Sequence, residues 1–123
     1  MNNTIFQIIF DELQEFLPAT WDEVVFYAAY TEGSFSMKYY VKSGTEAISC
    51  FNLPGVNKAQ LVKLFMAIDK ELAAVRKTLS AKDSWSVMTM IISADGNMKT
   101  HFDYADISEN SVAYAKNWEA KYL

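Results

Sequence analysis

One stretch constrains the fold of this chain more than any other: W-S-V-M-T-M-I-I-S-A-D-G-N-M-K-T-H-F-D-Y, residues 85–104. Two strand-like runs, 85–93 and 98–104, flank a turn that contains Gly96. Side chains alternate between the two faces of a strand. One face of the second run therefore carries Met98, Thr100, Phe102 and Tyr104. The other face carries Lys99, His101 and Asp103.

The length of the turn decides which faces of the two runs coincide. A three-residue loop, A-D-G at 94–96, places Met88, Met90 and Ile92 on the same face as Met98 and Phe102. A two-residue loop would instead group them with the polar side chains of the second run. We therefore expect a hairpin with the three-residue loop, Gly96 at its positive-φ position, and one continuous apolar face.

The rest of the chain alternates between helical and strand-like hydrophobic periods. A helix is predicted over 3–17, strands over 23–31, 34–42 and 45–52, and a long helix with an apolar stripe from Leu61 to Leu79. Gly33 and Gly44 mark short hairpin turns between the first three strands. The predicted order is α-β-β-β-α-β-β-α, which indicates an α+β fold with helices packed on an antiparallel sheet.

Capping residues indicate where two of these helices begin. Asn57, with Gln60 three residues later, has the pattern of a capping box before the long helix. Asp106 and Glu109 have a similar spacing, so Asp106 is the predicted cap of the last helix. The helical period predicts that the inward side of this helix carries Val112, Ala115, Trp118 and Tyr122.

Length and composition fit one domain over residues 1–123, with 51% apolar residues. Cys50 is the only cysteine, which favours a reducing compartment without disulfides. The first residues lack the basic region of a signal peptide, and no apolar run approaches the length of a membrane span. We expect a cytoplasmic protein that does not enter a membrane.

Charge is distributed unevenly along the chain. Residues 1–37 contain six acidic residues and no Lys or Arg: Asp11, Glu12, Glu15, Asp22, Glu23 and Glu32. Such a surface suits a basic protein partner and does not suit direct binding of nucleic acid. The alternative is a solvated acidic face without a partner. Tyr39 and Tyr40 are consecutive, so one of them must face away from the surface on which the other packs.

The only histidine, His101, raises the question of catalysis. Asp103 lies two residues along the same strand, where it could hydrogen-bond the imidazole, and Asp106 follows closely. No motif supplies a nucleophile or an oxyanion hole. The spacing of Asp95, Asn97, Asp103 and Asp106 resembles an EF-hand loop, but Lys99 and Thr100 occupy positions that need a ligand and a glycine. We predict no catalytic residue, no metal ligand and no cofactor.

Three blocks together resemble the YezG-like antitoxin (immunity protein) family: W-D-E-V-V-F-Y-A-A-Y at 21–30, the 85–106 segment, and W-E-A-K-Y-L at 118–123. The resemblance implies a non-enzymatic protein that binds the C-terminal domain of a cognate secreted nuclease toxin and blocks it in competition between bacteria. Combined with the charge pattern, it predicts these partner-binding residues: Asp11, Glu12, Glu15, Asp22, Glu23, Glu32, Tyr40, Asp103 and Asp106.

Two other functions compete with this one. The first is a protein–protein adaptor without a toxin, and the second is a small hydrolase built on His101. Within the antitoxin hypothesis, a DNase and an RNase are both candidate targets, and both the active site and an adjoining exosite are candidate contacts. A sheet edge is also available to a homodimer or to an added strand from the partner.

Overall fold

The computed structural model describes residues 3–123. Its helices are α1 (Asn3–Gln14), α2 (Lys58–Arg76) and α3 (Ser111–Tyr122). Its strands are β1 (Glu23–Thr31), β2 (Ser34–Ser43), β3 (Glu46–Ser49), β4 (Val87–Ser93) and β5 (Met98–Asp103). They form one sheet in the order β3-β2-β1-β4-β5, and every neighbouring pair is antiparallel. The predicted α+β class and element order are confirmed.

The β4–β5 hairpin has the predicted three-residue loop. Ile92 lies opposite Met98, and Met88 lies opposite Phe102. The Ser93 N–H donates to the Asn97 carbonyl (2.8 Å), which leaves residues 94–96 as the loop. Gly96 has a φ of +95°, a conformation that a side chain would disfavour. The odd loop length therefore keeps the apolar residues of both strands on one face, as predicted.

The sheet is covered on both faces. α1 and α2 pack on one face over the main core, which includes Val24, Phe26 and Ala28 of β1. α3 packs on the other face over a smaller core, which includes Val25, Tyr27 and Ala29. The central strand β1 is therefore buried from Val24 to Ala29 without the alternation of a half-exposed strand.

The predicted strand over 45–52 is wrong in its second half. β3 ends at Ser49, and Cys50–Asn52 form a 3-10 helix. The Ser49 hydroxyl accepts a hydrogen bond from the Phe51 N–H (3.4 Å). This local bond takes the place of a hydrogen bond to the neighbouring strand, so the backbone leaves the sheet and turns. The buried Cys50 then belongs to the core beneath α1 and α2.

Three other boundaries differ from the predicted ones by two or more residues. α2 ends at Arg76, so Leu79, the last residue of the predicted apolar stripe, lies beyond the helix. The first helix ends at Gln14 and not at residue 17, because tight turns follow it and Pro18 disfavours helical backbone before it. β4 begins at Val87, two residues later than predicted, since the Trp85 carbonyl turns to accept from the Arg76 guanidinium. These shifts change no face assignment.

The capping box at Asn57 is confirmed, but the predicted cap at Asp106 is wrong. Asn57 Oδ1 accepts from the Gln60 N–H (2.8 Å), and Gln60 Oε1 accepts from the Asn57 N–H (3.1 Å). α3 begins later than expected, with Asn110 at its N-cap position, and Val112, which was predicted to face inward, is exposed. Asp106 instead accepts from the Ser108 N–H (3.0 Å), which closes a local turn before the helix.

Candidate partner-binding surfaces

Two of the predicted partner-binding carboxylates, Asp11 and Glu12, lie on α1, and Glu15 follows directly after its end. All three side chains are exposed. Asp11 accepts a hydrogen bond from the Gln7 amide (2.9 Å), and none of the three forms an ion pair with another residue in the range 3–123. Their negative charge is therefore available to a partner.

Asp22 and Glu23 lie at the end of the sheet where β1 begins, and both have local partners. Asp22 Oδ2 accepts the Gly44 N–H (2.7 Å), and its carbonyl accepts the Ala94 N–H (2.9 Å). Glu23 lies 3.5 Å from Lys42 Nζ. Asp22 thus links the β2–β3 and β4–β5 turns, so its first role is structural.

A ring contact connects these two groups. Phe10 on α1 and Trp21 beside Asp22 pack edge to face with centroids 6.4 Å apart. We call the surface formed by Asp11, Glu12, Glu15, Asp22 and Glu23 the acidic end. The contact joins α1 to the segment before β1, next to Asp11 on one side and Asp22 on the other.

The sixth, Glu32, is not part of the acidic end. It lies in the β1–β2 turn, and β1 separates it from Glu23 by roughly 30 Å at about 3.3 Å per residue. Its N–H donates to the Ser108 hydroxyl (3.4 Å), so it neighbours the loop that contains Asp106. Asp106 is exposed, and its hydrogen bonds with Ser108 lower the pKa of its carboxyl.

Tyr40 lies against α3 and is only partly accessible. Its hydroxyl lies 3.2 Å from Glu119 Oε1, to which it donates, and its ring is 5.9 Å from that of Trp118. Burial, followed by the nearby Glu119 carboxylate, raises the pKa of Tyr40 to about 12. Tyr39 faces the main core, so the prediction that the two tyrosines face opposite ways is confirmed. Tyr40 is a packing residue as much as a candidate contact.

His101 and Asp103 share the α3 side of β5, but no hydrogen bond connects them within the described chain. The Asp103 carboxylate accepts from the Ala105 N–H (3.2 Å) and from the Tyr114 hydroxyl, whose pKa is raised chiefly by burial. His101 is exposed and lines a groove of about 300 Å³ together with Asp103 and Lys121. In residues 3–123, no group of three His, Cys, Asp or Glu side chains is placed to hold a metal ion.

A larger groove was not predicted from the sequence. It has a volume of about 740 Å³ and lies between the start of α1, the segment after α2, and β5. Its lining includes Phe6, Leu79, Trp85, Met98, Thr100, Phe102 and Tyr104, and also the polar Gln7 and Asp83. Tyr104, which also lines the groove, is 57% exposed. The alternation of Met98, Thr100 and Phe102 was visible in the sequence, but their position on an outer strand was not.

None of the helices described is both long and apolar enough to cross a bilayer. Residues 2–123 match the family model described as "Immunity protein YezG-like". No curated protein matches the chain.

Proposed function

We propose that this chain, which belongs to the YezG-like immunity protein family, binds the C-terminal domain of a cognate nuclease toxin and neutralises it. The observation that carries the proposal is the family match, which extends over residues 2–123. An immunity protein acts by occupying a surface of its toxin, so its function requires complementary contacts and no catalytic group. The expected partner is therefore a protein, and no cofactor takes part.

The charge of the chain supports a nuclease as the target. A nuclease needs a positive cleft to hold phosphates, and the chain carries a net charge of −4. Asp11, Glu12 and Glu15 present exposed carboxylates without an ion-pair partner in the described structure. Opposite charges on the two proteins would accelerate their encounter and orient them. We propose that the acidic end meets the basic surface of the toxin.

Neutralisation also sets a requirement on affinity. An antitoxin must bind its toxin with a dissociation constant of about 1 nM or lower, which corresponds to a binding free energy of roughly −12 kcal/mol. Interfaces of about 1,600 Å² commonly supply such affinity. We therefore expect the contact to extend from the acidic end onto neighbouring surface.

A charge-neutral variant tests the acidic end. In the combined variant Asp11→Asn, Glu12→Gln, Glu15→Gln, association with the purified toxin domain encoded beside the gene should slow by about tenfold at low salt. Its rate should also depend less on salt than that of the wild type. The control variant Glu46→Gln, Glu71→Gln, Glu109→Gln makes the same change in net charge at exposed positions elsewhere.

The rates of the two variants separate three outcomes. Slow association of the α1 variant alone supports contact at the acidic end. Equal slowing of both variants would assign the effect to net charge and remove α1 from the interface. A wild-type chain that forms no complex with the toxin domain would reject the proposed function and favour an adaptor without a toxin.

A further inference from the structure

The outer edge of β5 is open. β5 is the last strand of the sheet, and no other strand in the described range pairs with its outer side. The Ser93–Asn97 hydrogen bond fixes the ladder, because bonded pairs recur at every second residue of an antiparallel pair. Met98, Thr100 and Phe102 therefore direct their main-chain N–H and C=O groups outward. An extended chain is the ligand that satisfies such a row of groups.

The larger groove adjoins this edge and shares residues with it. Met98, Thr100 and Phe102 line the groove with their side chains while their main-chain groups face the open edge. Successive side chains of a strand point to opposite faces. A strand added beside β5 would thus place every second side chain over the groove, where Phe6 and Leu79 form apolar walls.

We propose that an extended segment of the cognate toxin pairs with β5 as a sixth strand and inserts alternate apolar side chains into this groove. The inference rests on the proposed function and adds the mode of binding. β5 offers six residues to such a segment, whereas β3, at the other edge, offers four. The longer edge is also the one that adjoins the larger groove.

The charge of the groove predicts the charge of the toxin segment that would bind there. Among the described residues that line the groove, Asp83 has the single charged side chain. A segment with Lys or Arg beside its apolar residues would pair with this carboxylate, in keeping with a basic toxin. A second copy of this chain, with a net charge of −4, offers no such excess of positive charge.

Hydrogen exchange measured on the wild-type chain, free and bound to the toxin domain encoded beside its gene, tests the main-chain pairing. The outward amides of Met98, Thr100 and Phe102 should exchange at least about tenfold more slowly in the complex. The amides of β3 should exchange equally in both states and serve as the internal control. A complex that leaves the outward amides of β5 unprotected would overturn the inference and leave the proposed function intact.

Substitution of Thr100 by Arg tests whether the toxin segment occupies the groove. Thr100 is half-buried at the middle of β5, so Thr100→Arg places a bulky positive side chain where the basic segment should lie. The dissociation constant should rise by at least about tenfold. Ala47→Arg adds the same side chain to the exposed opposite edge strand and should leave binding unchanged. Circular dichroism and thermal unfolding establish that both variants fold.

Three results would overturn the inference. Equal affinity of Thr100→Arg and Ala47→Arg would remove the groove from the interface. A dimer of the free chain that Thr100→Arg dissociates, detected by sedimentation, would assign the β5 edge to a second copy. Absence of any complex with the wild type would reject the proposed function and, with it, this mode of binding. If Thr100→Arg does not fold, the exchange experiment on the wild type decides alone.

Discussion

The indole Nε1–H of Trp118 donates a hydrogen bond of 2.8 Å to Thr89 Oγ1, and both residues are buried. Trp118 belongs to α3 and Thr89 to the middle of β4, so this bond fixes the last helix on the sheet. The indole also packs on Tyr27 at a centroid distance of 4.8 Å. This bond is therefore a buried polar attachment of α3 within an apolar contact.

Removal of the acceptor should destabilise the protein. Thr89→Val leaves the indole N–H buried without a partner, at a cost of about 1–3 kcal/mol in the free energy of unfolding. Urea denaturation measures this loss. In a Trp118→Phe background the same substitution should cost much less, because the donor is absent. An equal cost in both backgrounds would contradict the importance of the bond.

The contribution of the α2 cap to stability can be measured against a control helix in the same chain. Asn57→Ala removes the side-chain oxygen that accepts the hydrogen bond of the Gln60 N–H at the start of α2, and it should cost about 0.5–2 kcal/mol of stability. Asn110→Ala, at the start of α3, should cost less, since Asn110 makes no side-chain capping bond. Denaturation of both variants under the same conditions compares them. Equal losses would show that the capping box does not stabilise α2.

Arg76 connects the end of α2 to the segment before β4. Its Nε and Nη2 donate to the Trp85 carbonyl (3.1 and 2.6 Å), and its guanidinium lies 4.3 Å from the ring centroid of Tyr30. Arg76→Lys loses the forked geometry and should reduce the free energy of unfolding by about 1–3 kcal/mol. Lys70→Arg, at an exposed position on the same helix, should change it by less than about 0.5 kcal/mol.

Alkaline pH should destabilise the fold through its buried tyrosines. Burial raises the pKa of Tyr27, Tyr30, Tyr39 and Tyr114 above the ordinary 10.0, and raises the pKa of Tyr40 to about 12. The folded state then holds these protons more tightly than the unfolded state. Stability is fully present below about pH 10 and falls as the pH rises through the folded pKa values.

Urea denaturation at a series of pH values checks this expectation. The midpoint should fall between about pH 10 and about pH 12, and Tyr40→Phe should make the decline shallower because it removes one of the titrating groups. A midpoint that stays constant over this range would contradict the assignment of these tyrosines to buried positions.

Local patterns in the sequence were sufficient to predict much of the fold. The bounds of β1 agree with the prediction at both ends, and the loop at 94–96 followed from the need to keep one apolar face. The prediction that the third strand continues to residue 52 was wrong. Residues 49–52 have a strand-like composition, and only the hydroxyl of Ser49, which caps the 3-10 helix, indicates a turn there. The position of α3 on the second face of the sheet could not be predicted from the sequence, since Trp118 is the single buried residue of that helix.

The candidate binding surfaces depend on long-range order that no local pattern contains. The sequence placed Glu32 with the other acidic residues of the first 37, but β1 carries it to the opposite end of the sheet. The groove beside β5 exists because β4 pairs with β1 and leaves β5 outermost. That pairing joins strands separated by α2, so the order of the strands along the chain does not specify it.

The most direct test of the account is a titration of the toxin. The purified chain is added to the nuclease domain encoded beside its gene, and cleavage of DNA and of RNA is followed against the molar ratio. The account predicts that activity falls to zero near about one equivalent, as expected for nanomolar affinity at micromolar concentration. Full nuclease activity at about tenfold excess, where even micromolar affinity would give inhibition, would contradict it.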